Sequence, residues 1–173
     1  MPRSSEPEAA STRLVRGDPG EPHARFEHAV EIAVPRARLH AFLCALENLA
    51  PLHPLIESIR PAPPRAERPN ARRYRVVDRI AFGPLRLRAA YSAELEPIAE
   101  DLVRGEAWQS PGIHLVTHYR LEALAPERTR LHETCVIRAP RGLRGFVARQ
   151  ASASHRATLA GMKRLIEAER AGP

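Results

Sequence analysis

Apolar and polar residues alternate most regularly in the middle of the chain. Tyr74, Val76, Asp78, Ile80 and Phe82 alternate with Arg75, Val77, Arg79 and Ala81. After Gly83-Pro84 the alternation resumes, with Leu85, Leu87, Ala89, Tyr91, Ala93 and Leu95 set against Arg86, Arg88, Ala90, Ser92 and Glu94. A period of two is that of a strand with one buried face. Two such strands joined by two residues make a hairpin, and Gly followed by Pro fits a type II′ turn. The turn sets the register: Phe82 beside Leu85, Ile80 beside Leu87, Asp78 beside Ala89 and Val76 beside Tyr91. These residues share the inner face, and the arginines take the outer one.

The same pattern marks the rest of the sheet. Phe26 to Val34 alternates and ends at Pro35, after which Leu39, Phe42, Leu43 and Leu46 follow at helical spacing as one short stripe. A second short helical turn precedes Pro51, Leu55 to Ile59 is a brief strand, and Pro61 to Pro69 reads as a loop or edge. Leu102 to Trp108 is a strand whose inward face the pattern leaves open. His114 to Leu124 and Thr129 to Arg138 form a second hairpin. Its cleanest pairing joins Leu115, Thr117, Tyr119 and Leu121 to Ile137, Cys135, Glu133 and Leu131. The opposite face then carries His114, His118, Arg120, Glu122, Arg130, His132 and Arg138 and belongs to water.

From Leu143 to about Glu169 the spacing predicts one helix about 40 Å long. Its stripe opens with Leu143, Phe146 and Val147 and closes with Leu165 and Ile166. Between them stand Gln150, Ala151, Ser154, Ala157, Thr158 and Gly161. Small residues in mid-stripe either leave space beneath the helix or let it press closely on the sheet. Residues 1–25 have little apolar content and read as a flexible tail, leaving 26–173 as the folded domain.

Composition narrows the function classes. No apolar run reaches the roughly 18 residues of a membrane span, and no signal-peptide core precedes Phe26, so the expected compartment is the cytoplasm. The formal charge of +7 invites a polyanion. Lys163 is the only lysine, however, and the arginines are dispersed along strands, so nucleic acid is not expected as a partner. Cys44 and Cys135 read as two reduced thiols. Among the eight histidines, His114 and His118 stand about 13 Å apart on a strand, too far for one ion. The histidines read as surface residues, and no metal or other cofactor is expected. There is no GxSxG, phosphate-binding glycine loop or catalytic triad.

Candidate chemistry lies on the inner face. Asp78 interrupts it opposite Ala89 and diagonal to Tyr91, where burial should raise the carboxyl pKa. It reads either as an acid or base in a cavity or as a structural residue bonded to a backbone amide or a loop arginine. Glu133 faces inward with Thr117, Tyr119 and Cys135 in the stated register, and a slip of one residue would turn it to Arg120 at the surface. Tyr91 and Tyr119 could offer hydroxyls to a ligand carbonyl or simply complete a core. Trp108 reads as a pocket wall or an ordinary core aromatic. Ser154 and Thr158 either meet a ligand or bond back to their own helix.

The order strand, two helices, six strands, long helix resembles the START-like (SRPBCC) helix-grip superfamily, and within it the polyketide cyclase/dehydrase-like branch. The likeness is carried by FEHAVEIAVPRARLHAFLCALENLAPLHPLI, by PERTRLHETCVIRAP and by RGLRGFVARQASASHRATLAGMKRLIEAE. It implies an α+β helix-grip fold, with a curved antiparallel sheet of about seven strands wrapped around the C-terminal helix. Relatives often carry Gly where this chain has Arg128 in its last hairpin.

The resemblance further implies a cavity for a small apolar molecule, with Val76, Ile80, Phe82, Leu87, Tyr91, Trp108, Thr117, Tyr119, Cys135, Ser154 and Thr158 as its expected lining. The first reading is a binder of a lipid, isoprenoid or polyketide-like ligand. The second is a cyclase or dehydratase in which Asp78 or Glu133 moves a proton and a tyrosine holds an oxyanion. The third is a membrane-surface protein that extracts its ligand with help from the arginine-rich face. An enzyme needs two or more of these groups converging on one point of the cavity.

Overall fold

A computed structural model describes residues 11–15 and 23–171. In chain order its strands are β1 (Ser11–Val15), β2 (His23–Ile32), β3 (Ile56–Ala62), β4 (Arg72–Phe82), β5 (Leu85–Ala99), β6 (Leu102–Gln109), β7 (Ile113–Ala125) and β8 (Arg128–Arg138). Its helices are α1 (Arg36–Leu43), α2 (Leu46–Leu49) and α3 (Arg141–Ala171), and a short 3-10 turn follows α2. The strands form one curved sheet in the order β1-β2-β8-β7-β6-β5-β4-β3, antiparallel at every step. Strands β2 to β8 are the expected seven, and β1 adds an eighth at the edge.

That eighth strand corrects the tail expected over residues 1–25. Ser11↔Ala29 to Val15↔Arg25 pair along β2, and β2 itself opens at His23 rather than Phe26. The outer edge of β2 offers unpaired amides and carbonyls, which a returning segment can satisfy whatever its apolar content. The rest of the expected tail lies outside the described residues. Pro61, expected in a loop or edge, lies within β3, an edge strand where a missing N–H is tolerated.

Both hairpins have the register the sequence predicts. Gly83 takes φ +59, and Phe82↔Leu85, Ile80↔Leu87, Asp78↔Ala89 and Val76↔Tyr91 pair as the two-residue turn requires. In the second hairpin Leu115, Thr117, Tyr119 and Leu121 meet Ile137, Cys135, Glu133 and Leu131. Arg128 needs no left-handed backbone: no described non-glycine residue has a positive φ, and the ladder shifts register between Ala123 and Ala125 instead.

The C-terminal half of α3 presses on the sheet. Leu159, Met162 and Ile166 are buried with Ile32, Leu39, Leu43, Leu121 and Leu131 in the larger apolar cluster. Lys163 Nζ donates to the Glu31 carbonyl at 2.6 Å, and Arg170 to that of Ala33 at 3.2 Å, pinning this end of the helix where β2 leaves the sheet. On the outer face the segment between β3 and β4 is strapped down by charge. Arg65 pairs with the buried Glu94 at 2.8 Å, and Arg68 with Glu106 at 3.0 Å. Arginines elsewhere on that face are also paired, as Arg88 is with Glu57 and Arg130 with Glu31.

Candidate functional site

The N-terminal half of α3 packs on β2 and β8 through Ala148 and Ser152 but leaves open space toward β4 to β7. Beneath it lies a cavity of about 680 Å³, walled by Leu143, Phe146, Val147, Gln150, Ala151 and Ser154 of the helix and by residues of β4 to β7. The small residues in mid-stripe therefore leave space here. The wall is mostly apolar, with Leu55, Ile80, Leu87, Ile113 and Leu115 on the sheet side. Leu87 is 49% exposed, which places it at the mouth.

Polar groups gather at the inner end. Asp78 is buried at 7% exposure and accepts a hydrogen bond from the Tyr91 hydroxyl at 3.2 Å. Burial pushes its carboxyl up to about 6, although the Tyr91 hydroxyl and the charge of His155 hold it back. Burial and the neighbouring Asp78 charge raise the Tyr91 phenol well above its ordinary value. From α3, His155 enters the same cavity, and its Nδ1 donates to Glu133 Oε1 at 2.6 Å. Burial lowers the His155 pKa, but the Glu133 carboxylate outweighs burial and the net shift is upward. His53 stands with its ring 6.1 Å from that of His155 and is pushed down to about 3, by burial and then by the charge of His155. The pKa values of the two neighbouring histidines are thus shifted in opposite directions.

Behind His155 is a second chamber of about 100 Å³. Tyr91, His53, Ala107, Leu115 and His155 line both spaces, and Thr117, Tyr119, Glu133 and Thr158 face only the inner one. Glu133 is 1% exposed, so its side chain is inward, as the stated register requires.

The structure distributes the expected lining over four places. Asp78, Ile80, Leu87, Tyr91 and Ser154 face the main cavity, and Thr117, Tyr119, Glu133 and Thr158 the inner chamber. Val76 and Cys135 line neither. Both are fully buried in apolar clusters, and burial drives the Cys135 thiol up to about 12. Trp108 is on the outer face, stacked on His114 at 5.3 Å under the Arg65 guanidinium at 4.3 Å. It belongs to the strap, because β6 turns Gly105 and Ala107 inward instead. The Phe82 side chain lies outside the described part of the structure. Ser154 and Thr158 border space, yet their hydroxyls donate back to Gln150 and Ser154 carbonyls at 2.8 and 2.9 Å.

No protein-family model matches the sequence, and no curated protein sequence matches it. Solved structures do match. Protein TTHA0849 from Thermus thermophilus is 19% identical with a TM-score of 0.66, over 84% of this chain and 98% of that one. A START superfamily protein from Mycobacterium smegmatis is 14% identical with a TM-score of 0.64, over 83% and 97%. The Zhui aromatase/cyclase from Streptomyces sp. R1128 is 16% identical with a TM-score of 0.60, over 83% and 96%. The chain has the START-like helix-grip fold.

At these identities the likeness carries the fold, and the chemistry of this helix-grip domain rests on its own residues. Two of them escape the sequence pattern. His155 and His53 are read as surface histidines, whereas both line the cavity. The signal for His155 is its spacing from Val147 and Ala151, i,i+4 twice over. His53, in the turn between α2 and β3, has no periodic context to reveal it. His28 is likewise buried, between β2 and α3, where its Nε2 donates to the Ser152 carbonyl at 3.1 Å. Among the described residues no cluster of three metal-ligating side chains occurs, and no helix is long and apolar enough to cross a membrane.

Proposed function

We propose that this helix-grip domain binds a small, largely apolar molecule in the cavity between the sheet and the N-terminal half of α3. The observation that carries the reading is a cavity of about 680 Å³ with apolar walls and a few polar groups at one end. Ligand sites have this construction: apolar area supplies affinity, and few polar groups fix orientation. An aromatase/cyclase and a START superfamily protein among the similar structures support the same reading. The test is mass spectrometry of small molecules that co-purify with the native protein, together with titration of an apolar fluorescent probe. Gln150→Trp, which fills the space under α3, should weaken probe binding about tenfold while the fold survives. Unchanged binding by that variant would refute the cavity as the site.

A second reading is favoured by convergence. Asp78, with Tyr91 bonded to it, and His155, with Glu133 behind it, meet in one cavity from opposite walls. A carboxyl pushed up to about 6 and a histidine whose pKa is raised by Glu133, facing one cavity, can serve as base and acid, the pair required for enolisation or dehydration of a carbonyl compound. Incubating the co-purified molecule with protein separates the readings: a binder returns it unchanged, and an enzyme converts it at a rate that Asp78→Asn or His155→Gln lowers by about 100-fold or more.

A further inference from the structure

The inner chamber has a feature that binding in the main cavity does not use. Glu133 Oε1 is engaged by His155, but Glu133 Oε2 is buried with no hydrogen-bond partner. Tyr119, opposite Glu133 in the ladder, has its phenol raised by burial and then by this carboxylate, to which its hydroxyl is close, yet it does not meet Oε2 with hydrogen-bond geometry. Buried carboxylate oxygens are rarely left this way, because the lone pairs have lost water and gained nothing in return. The chamber beside this oxygen is about 100 Å³, room for the end of a molecule but not for the whole of one. Leu43, Leu46, Leu95 and Leu159 wall much of the rest, so the place has one strong acceptor in apolar surroundings.

We propose that the inner chamber is a polar subsite, in which Glu133 Oε2 accepts a hydrogen bond from a hydroxyl at the leading end of the ligand. The inference rests on the cavity reading above and specifies its ligand class: an elongated apolar molecule ending in a phenol or alcohol. A ligand that bonds to Oε2 must bring a donor, since a carboxylate can only accept. His155 and Tyr91 stand between the two spaces, so the ligand passes them to reach Glu133 while its apolar body stays under Phe146 and Val147. An ordered water could supply the same donor, and the experiment separates the two sources.

The probes are 4-phenylphenol and its methyl ether, 4-methoxybiphenyl, titrated calorimetrically into the full-length protein. They share an apolar body and differ in the donor, and a site built around a hydroxyl rejects an analogue that lacks one. The phenol should bind the wild-type protein at least about tenfold more tightly than the ether. In Glu133→Met, similar in size and without the acceptor, the ratio should fall to within about twofold, through loss of phenol affinity alone. Equal binding of both probes by the wild-type protein would overturn the subsite, leave the cavity reading standing and assign the chamber to water. A preference that survives Glu133→Met would be steric or due to another acceptor, and would overturn it too. Failure of both probes to bind would overturn the subsite together with the cavity reading. The wild-type comparison keeps the proposal falsifiable if Glu133→Met does not fold.

Discussion

Burial pushes the Asp78 carboxyl up to about 6 from an ordinary 3.8, so the folded protein holds that proton more tightly than the unfolded chain does. A raised carboxyl pKa means that folding stability falls as pH rises from 3.8 through 6 and stays low above it. Asp78→Asn removes the penalty and keeps an acceptor for Tyr91. It should therefore stabilise the protein by on the order of 3 kcal/mol near pH 8 and by well under about 1 kcal/mol near pH 4. Urea unfolding at the two pH values checks this, and a variant less stable than wild type near pH 8 would contradict it. His155 runs the same way in a higher pH window: its raised pKa contributes stability that is fully present below its ordinary 6.5 and is lost as pH rises through the folded value. Asp78 was legible in the sequence because a two-residue turn fixes its face. His155 was not, because in a run of Ala and Ser around it the 100° step of a helix does not tell Ser154 from its neighbour. That the two groups share a cavity is tertiary information, carried by no local spacing.

The β4–β5 hairpin owes its register to one backbone conformation. Gly83 sits at φ +59, and a methyl group there would meet nothing within 4 Å, so any penalty for Gly83→Ala is conformational rather than steric. We expect a loss of about 1–2 kcal/mol in denaturant unfolding, with the m-value unchanged. A neutral result would mean that the ladder, not the turn, sets the register. The inner faces of β4, β5, β7 and β8 were readable from alternation because large apolar and charged residues occupy opposite sides. β6 was not: its inward Gly105 and Ala107 are small, and its one aromatic residue, Trp108, is outward. What holds Trp108 there is Arg65, from a segment far away in the chain, and sequence periodicity has no term for such a partner.

The whole molecule is a strand meander with one exception. From β3 to β8 each strand pairs with the next, but β2 pairs with β8, with roughly a hundred residues between Ile32 and Thr129. The order of elements was legible because each announces itself locally. β1 was not, since what places it is the free edge of β2 rather than any pattern of its own. The β2–β8 ladder has a consequence in time. Closing so long a loop is entropically expensive, and it is rewarded only once β8 is already in place to receive β2. The meander should therefore be the early part of folding and the β2–β8 closure the late part. Ile32→Val should then act mainly by speeding unfolding, whereas Val76→Ala in the hairpin should mainly slow folding, as read from the two arms of a chevron plot. During that interval the long helix has no complete surface to grip, and the slow step in making this protein is the arrival of its own first strands.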